Sequence, residues 1–367
     1  MASRKVQIFY ASIGSGHLIA AQSIAEAIRD LDSNVEVDLT DIFRNSHKNV
    51  VFQEILAFFP NYVFPDLYTY VWKNGSLRWL YNLSCKIGPV QYSIRRKVKK
   101  FLPDVVVCTH SYPCSVISNW KKKELGPILF AVPTDLYIHP YWPSENINAF
   151  IAPTKDLKKV LIERGILPEQ IYPLGIPVSP DLFRMKYSRC IGSKVNILVL
   201  AGSFRVAPYL TIHAIVKELI DYLASHSTLN ISWQFVFGAA KKMENIAREK
   251  LDCRNDVAIL NFPNNVHQML ATCDLVFTKP GGLTVAEALS LGKPLVLLTS
   301  GAGQERANAD YVIKSGAGLL VNQIHKLIEL INSIERKPFQ TINQFTKENI
   351  SFSKSSENIA KLIIDSI

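Results

Sequence analysis

Three short segments of this 367-residue chain hold side chains and backbone suited to an anionic, hydroxyl-rich ligand. The first is Gly14, Ser15, Gly16, His17, between an apolar strand-like run and an amphipathic run. Small residues there let the backbone approach a ligand, and the helix start that follows offers unpaired N–H groups to an anion or oxyanion. His17 is the side-chain type best suited near neutral pH to take a proton from an attacking hydroxyl; the plainer alternative is a capping or packing histidine. The second segment runs from Phe277 through Lys279, Pro280, Gly281 and Gly282 to Glu287. A strand ends, a Gly-Gly turn exposes main-chain amides, and Thr284 adds a hydroxyl, so a diphosphate could be cradled. Glu287, one helical turn on, could accept both hydroxyls of a ribose, or be a surface glutamate after a tight turn. The third segment places Gln304, Glu305 and Asn308 on one side of a helix start after Gly301 and Gly303. Their amides and carboxylate suit sugar hydroxyls, or simply water.

A dinucleotide fingerprint would continue from Gly14 and Gly16 to a small residue at position 19, which is Ile19. That weakens an oxidoreductase reading, although Asp38 lies at the spacing of a ribose-binding acid.

The elements that must position these segments alternate. Val6 to Ala11 reads as a strand, then an amphipathic helix carries Ala20, Ile24, Ile28 and Leu31 on one face, and Val35 to Leu39 is a second strand. Asp104 to Cys108 and Ile128 to Val132 are further strands around a helix from Ser115 to Glu124. The pattern restarts at Val195 to Ala201, with strands at Ile231 to Phe237, Leu275 to Thr278, Leu295 to Leu298 and Gly318 to Val321, and helices at His213 to Ala224 and Glu244 to Leu251. Alternation of this kind predicts two parallel α/β sheets in tandem, with ligands beyond the carboxyl ends of the strands. The expected domains are 1–175 and 185–345, joined where Pro173, Pro177 and Pro180 interrupt both periodicities, with a helix over 350–367 returning to the first.

One stretch breaks the alternation. Between about 50 and 102 come Phe52, Phe58, Phe59, Tyr62, Phe64, Tyr68, Tyr70, Trp72, Trp79, Tyr81 and Tyr92, followed by Arg95, Arg96, Lys97, Lys99 and Lys100. Two readings stand: a helical insert packed on the sheet, or a lobe whose aromatics enter a headgroup boundary while the basic run meets anionic lipid.

Composition sets the limits. A content of 48% hydrophobic and 20% charged residues excludes a disordered chain. Scattered cysteines, six in number, form no metal-ligand spacing and fit a reducing compartment. There is no signal-peptide pattern at the amino terminus and no apolar run of about 20 residues, so the expectation is a cytoplasmic protein, soluble or peripheral on the membrane. The net charge of +10 calls for an anionic partner, and the aromatic setting of its densest basic run favours an anionic membrane surface over nucleic acid.

Taken together, KPGGLTVAEALSLGKPLVLL, GAGQERANADYVIKSGAG, the amino-terminal SIGSGH loop and the stretch PTDLYIHPYW to YPLGIPVSPDLF resemble the glycosyltransferases that include the diacylglycerol galactosyl- and glucosyltransferases and the lipid-linked N-acetylglucosamine transferase of peptidoglycan synthesis. The middle stretch is most similar to the diacylglycerol branch. The resemblance implies a GT-B fold, two Rossmann-like domains facing each other across a cleft. It also implies roles. Gly202, Ser203, Gly281, Gly282 and Thr284 would hold the donor diphosphate, Glu287 the ribose, Phe262 the uracil, and Gln304, Glu305 and Asn308 the sugar. His17 would be the base, with Asp135 assisting; Gly14, Gly16, His139 and Trp142 would lie on the acceptor side.

The expected reaction is an inverting, metal-independent transfer of a hexose from UDP-glucose or UDP-galactose to a membrane lipid, with diacylglycerol as the leading acceptor and no cofactor beyond the UDP-sugar. Two rivals remain: a UDP-sugar epimerase of the same fold, and a catalytically silent sugar-nucleotide or lipid-binding protein, suggested by the sparse glycines of the loops at Gly14 and Gly202.

Overall fold

The structure, a computed structural model, describes residues 4–12, 15–43, 70, 73–121, 126–184, 194–201, 212–261, 263, 265–299, 301–345 and 352–367. The chain divides into two compact units: Met1–Pro180 with Ala302–Gln304 and Phe352–Ile367, and Asp181–Gly301 with Glu305–Ser351.

In the first unit the strands are β1 (Lys5–Tyr10), β2 (Glu36–Asp41), β3 (Val105–Cys108), β4 (Ile128–Ala131), β5 (Ala149–Ile151) and β6 (Ile171–Tyr172). They pair in parallel in the order β2-β1-β3-β4-β5-β6. All four residues of β3, Val-Val-Val-Cys, are buried, as a strand covered on both faces requires. Helix α1 (Gly16–Leu31) buries Ala20, Ile24 and Ile28, whereas Leu31, expected on the same face, ends the helix and is 47% exposed. Helices α2 (Arg78–Ser84) and α3 (Pro89–Phe101) follow. In α3, Val90, Ile94 and Val98 recur every four residues and face the core. Pro89 suits its first turn, and Leu102, in the left-handed region at φ 54°, ends it by donating to the Val98 carbonyl. Helices α4 (Ser111–Lys121) and α5 (Lys155–Glu163) complete the run before the join.

The second unit opens with the single turn α6 (Asp181–Arg184) and then β7 (Val195–Leu200), α7 (Ile212–Ser225), β8 (Ile231–Val236), α8 (Lys241–Leu251), β9 (Val257–Leu260), α9 (Val266–Thr272) and β10 (Leu275–Thr278). It continues through α10 (Gly282–Ser290), β11 (Leu295–Leu297), α11 (Gln304–Lys314), β12 (Gly318–Leu320), α12 (Ile324–Arg336) and α13 (Pro338–Asn343). The parallel order is β12-β11-β10-β7-β8-β9, so the strand order reverses between β7 and β10. Trp233 and Phe235 of β8 and Phe237 just after it stack in succession, fully buried in the same core as the apolar residues of α7 and α12.

Helix α14 (Ser355–Ile364) belongs to the first unit: Ile359, Ala360 and Ile363 pack with Ala21, Ile24, Ala25 and Ile28 of α1. Ser355 and Ser356 donate hydroxyl protons to the Leu174 and Val178 carbonyls at 2.5 and 2.6 Å. Gly175 makes this possible: its φ is +89°, and a Cβ there would lie 2.4 Å from Phe352.

Candidate active site

In the first unit the reversal of strand order falls between β1 and β3, and the chain leaving both strands converges there. After β1 comes the turn that starts α1, with His17 its second residue; after β3 come Thr109 and His110. His17 Nδ1 lies 2.8 Å from the Thr109 carbonyl and 3.1 Å from the Thr134 hydroxyl. A carbonyl only accepts, so Nδ1 carries the proton and Nε2 presents the lone pair. Thr109 closes the clamp by donating its hydroxyl proton to the His17 carbonyl at 3.0 Å. Asp135 follows Thr134 directly in the chain.

Two further imidazoles share this place. His110 meets His17 edge-to-face with ring centroids 4.9 Å apart, and accepts the Tyr112 N–H at its Nδ1 at 3.1 Å. His139 accepts the Tyr141 N–H at Nδ1 at 3.3 Å. Both therefore hold their proton on Nε2, the opposite tautomer to His17. Burial lowers all three pKa values: His17 to about 4, against a raising contribution from the Thr109 carbonyl; His139 to about 3, with Arg164 and His17 adding to the effect; His110 well below its ordinary value, with His17 and His139 adding. Burial thus favours the neutral form of all three rings, His17 with its lone pair on Nε2 and His110 and His139 with their proton there.

His110 was not among the sequence-derived candidates. The available signal was its place, directly after an all-buried strand of a parallel sheet. Trp142, expected to line the acceptor side, is 5% exposed and packs between His139 and Phe150, at 6.0 and 5.9 Å between ring centroids, so it supports His139 from within the core. Gly16 begins α1 as expected; Gly14 lies outside the described residues. Asp38, at the spacing of a dinucleotide ribose acid, accepts instead from Gln7 and Thr40 on its own sheet.

In the second unit the reversal point lies between β7 and β10. The exit of β10 is the Lys279–Gly282 loop, and α10 begins at Gly282. Val285 makes the first helical bond, to the Gly281 carbonyl at 2.9 Å, which leaves the amides of Gly282, Leu283 and Thr284 in the unpaired first turn. Gly281 has an ordinary φ of −70°, and a Cβ on it would meet only Lys279, at 3.8 Å. Among the described residues neither backbone nor packing demands glycine there. Lys279 pairs with Glu305, at the start of α11. Gly301, at φ +63°, lets α11 approach, since a Cβ would sit 2.4 Å from Glu305.

Gln304 is half-buried at the first position of α11. Asn308 departs from expectation. Entirely buried, it donates from Nδ2 to the Pro280 carbonyl at 3.0 Å and so holds the loop's shape; a sugar hydroxyl could not reach it in this arrangement. Thr284 is the one partly exposed side chain of the first turn of α10, and Glu287 is 9% exposed on the covered face. Gly202, Ser203 and Phe262 lie outside the described residues.

Of the basic run, Arg96, Lys99 and Lys100 are exposed on α3, whereas Arg95 is partly buried and Lys97 donates to the Asp41 carbonyl at 2.8 Å. Those two are corrected, because the period of the helix turns them toward the protein. Trp79, Leu80 and Leu83 of α2, and then Ile87 and Tyr92, which precede these cations in the chain, are between 47% and 66% exposed. The aromatics of 44–69 and 71–72 lie outside the described residues.

Comparison with known proteins finds a match over each of these two sites. The family described as monogalactosyldiacylglycerol (MGDG) synthase matches residues 17–178, and the glycosyltransferase family 28 C-terminal domain matches residues 196–363. The two lie in tandem over most of the chain. The chain is a GT-B glycosyltransferase built from these two domains. A processive diacylglycerol beta-glucosyltransferase of Bacillus pumilus is 24% identical over 380 residues, covering 99% of this transferase and 95% of that protein. Among solved structures, Acinetobacter baumannii MurG aligns with a TM-score of 0.59 at 13% identity, covering 98% of this chain and 99% of that one. The UDP-GlcNAc 2-epimerase of Neisseria meningitidis, bound to UDP-GlcNAc, gives 0.62 at 15%, covering 98% and 100%. At such identities these structures share the fold with this transferase and no more. The amino-terminal match begins at His17, and the carboxyl-terminal match contains both the Lys279–Gly282 loop and α11.

Proposed function

We propose that this transferase moves a hexose, glucose or galactose, from its UDP derivative to diacylglycerol at a membrane surface, with inversion at the anomeric carbon. The acceptor hydroxyl gives its proton to His17 Nε2 as its oxygen attacks, and UDP leaves. The amides of Gly282, Leu283 and Thr284 and the positive end of α10 take up the leaving-group charge, with Gly202 and Ser203 completing the pocket. Glu287 accepts the ribose hydroxyls, Phe262 meets the uracil, and Gln304 and Glu305 meet the sugar. Asp135 assists on the acceptor side, where His110 and His139 offer N–H donors.

The observation that carries the proposal is the opposite tautomer of His17 within a neutral cluster. Burial favours the neutral ring with its lone pair on Nε2, and His110, whose proton is on Nε2, meets that ring edge-to-face. Support for a lipid acceptor comes from the named activity of the Bacillus relatives and from the apolar face of α2 beside the cations of α3. That face would hold the protein peripherally on the cytoplasmic leaflet.

The test is incubation with sugar-labelled UDP-glucose or UDP-galactose, with and without diacylglycerol vesicles. Label recovered in the lipid phase with one donor, only when vesicles are present, is the expected outcome. A changed sugar nucleotide in the aqueous phase would indicate epimerisation, and binding without conversion a silent protein; either would contradict the proposal.

A further inference from the structure

Glu287 is 9% exposed, and among the described residues its ion-pair partner is His267, whose Nε2 lies 3.6 Å from Oε1. That separation is just beyond a hydrogen bond, so a small turn of either side chain would bring the ring N–H onto the carboxylate oxygen. His267 is the second residue of α9, and Met269 and Leu270 of the same helix are buried. The imidazole is thus carried on an anchored helix and is the more exposed partner, 32% against 11% for the Glu287 side chain. A glutamate carboxylate turns freely about its last torsion unless something fixes its plane. A ribose diol requires that plane to be fixed, because both hydroxyls must find an oxygen at once.

We propose that His267 is a positioning residue for Glu287. It biases one carboxylate oxygen so that the pair faces the 2′- and 3′-hydroxyls of the bound nucleotide, and it thereby helps the site prefer a ribonucleotide to its 2′-deoxy analogue. This rests on Glu287 being the ribose acid.

The experiment titrates the full chain with UDP and with 2′-deoxy-UDP, and measures donor KM and kcat, for wild type, His267→Ala, His267→Gln and Glu287→Ala. In His267→Ala, affinity for UDP falls about threefold to fivefold, affinity for 2′-deoxy-UDP changes little, and KM rises while kcat holds within about twofold. His267→Gln, which keeps a side-chain N–H donor, restores most of the preference. Equal weakening of both ligands in His267→Ala, or an unchanged ratio, overturns the proposal. If wild type binds no UDP, or if the preference survives Glu287→Ala, the ribose assignment itself falls, and the positioning role falls with it.

Discussion

His17, His110 and His139 are ordinary residues placed where charging them is costly. Each has its pKa lowered chiefly by burial, so protonation favours the unfolded chain between the ordinary value of 6.5 and the folded values of about 4 and about 3. In that window the unfolded state binds more protons, and stability rises with pH. For His17 the shift corresponds to at most about 3 kcal/mol. Urea unfolding should therefore give a midpoint that is flat above pH 7 and falls steadily from pH 6.5 toward pH 4. His139→Gln, which cannot be protonated, should flatten the slope, and an unchanged slope would contradict the burial account. His17 was legible from its place in a glycine turn. His110 was not, because a histidine within Cys-Thr-His-Ser-Tyr carries no pattern of its own until the sheet brings β3 beside β1. Asn308 was misread for a related reason: a polar residue on the helix start after Gly303 looks available until the tertiary fold seats the Pro280 carbonyl on it.

At the scale of elements, the strongly apolar runs were readable to within a residue or two: Leu275–Thr278 as expected, and Ile128–Ala131 and Ile231–Val236 one residue shorter. The strands Ala149–Ile151 and Ile171–Tyr172 were missed because two or three residues hold no period, and pairing along the sheet edge makes them strands. Helices α2 and α3 resolve the aromatic and basic stretch into two faces. On the inner face Tyr81 donates to the Ser111 hydroxyl at 2.9 Å, and Val90, Ile94 and Val98 enter the core. The outer face keeps Trp79, Leu83, Arg96 and Lys100 in solvent. Replacing Arg96 and Lys100 together by Gln should weaken binding to anionic vesicles about tenfold or more at low salt, since each cation near such a surface contributes about 1 kcal/mol. The difference should shrink at high salt. Trp79→Ala should weaken binding at both salt levels, because apolar insertion is not screened. Vesicle sedimentation reads both effects, and unchanged binding in all variants would remove α2 and α3 from the membrane contact.

Across the whole molecule, each unit is a parallel sheet whose strand order reverses once, and each reversal point holds one half of the proposed chemistry. The first offers a base with a fixed tautomer; the second offers three helix-start amides next to a glycine that no described residue requires. The α14 helix ties the carboxyl terminus into the first unit through Ser355 and Ser356, so both ends of the chain contribute to the scaffold that holds His17. This division of labour predicts that base and donor site fail separately. The most direct measurement is His17→Ala, assayed for turnover with saturating UDP-hexose and diacylglycerol vesicles and titrated in parallel with UDP. A general base contributes about 10²–10⁴ in rate, so turnover should fall by that amount while UDP affinity stays within about twofold of wild type. Near-normal turnover in His17→Ala would contradict the account.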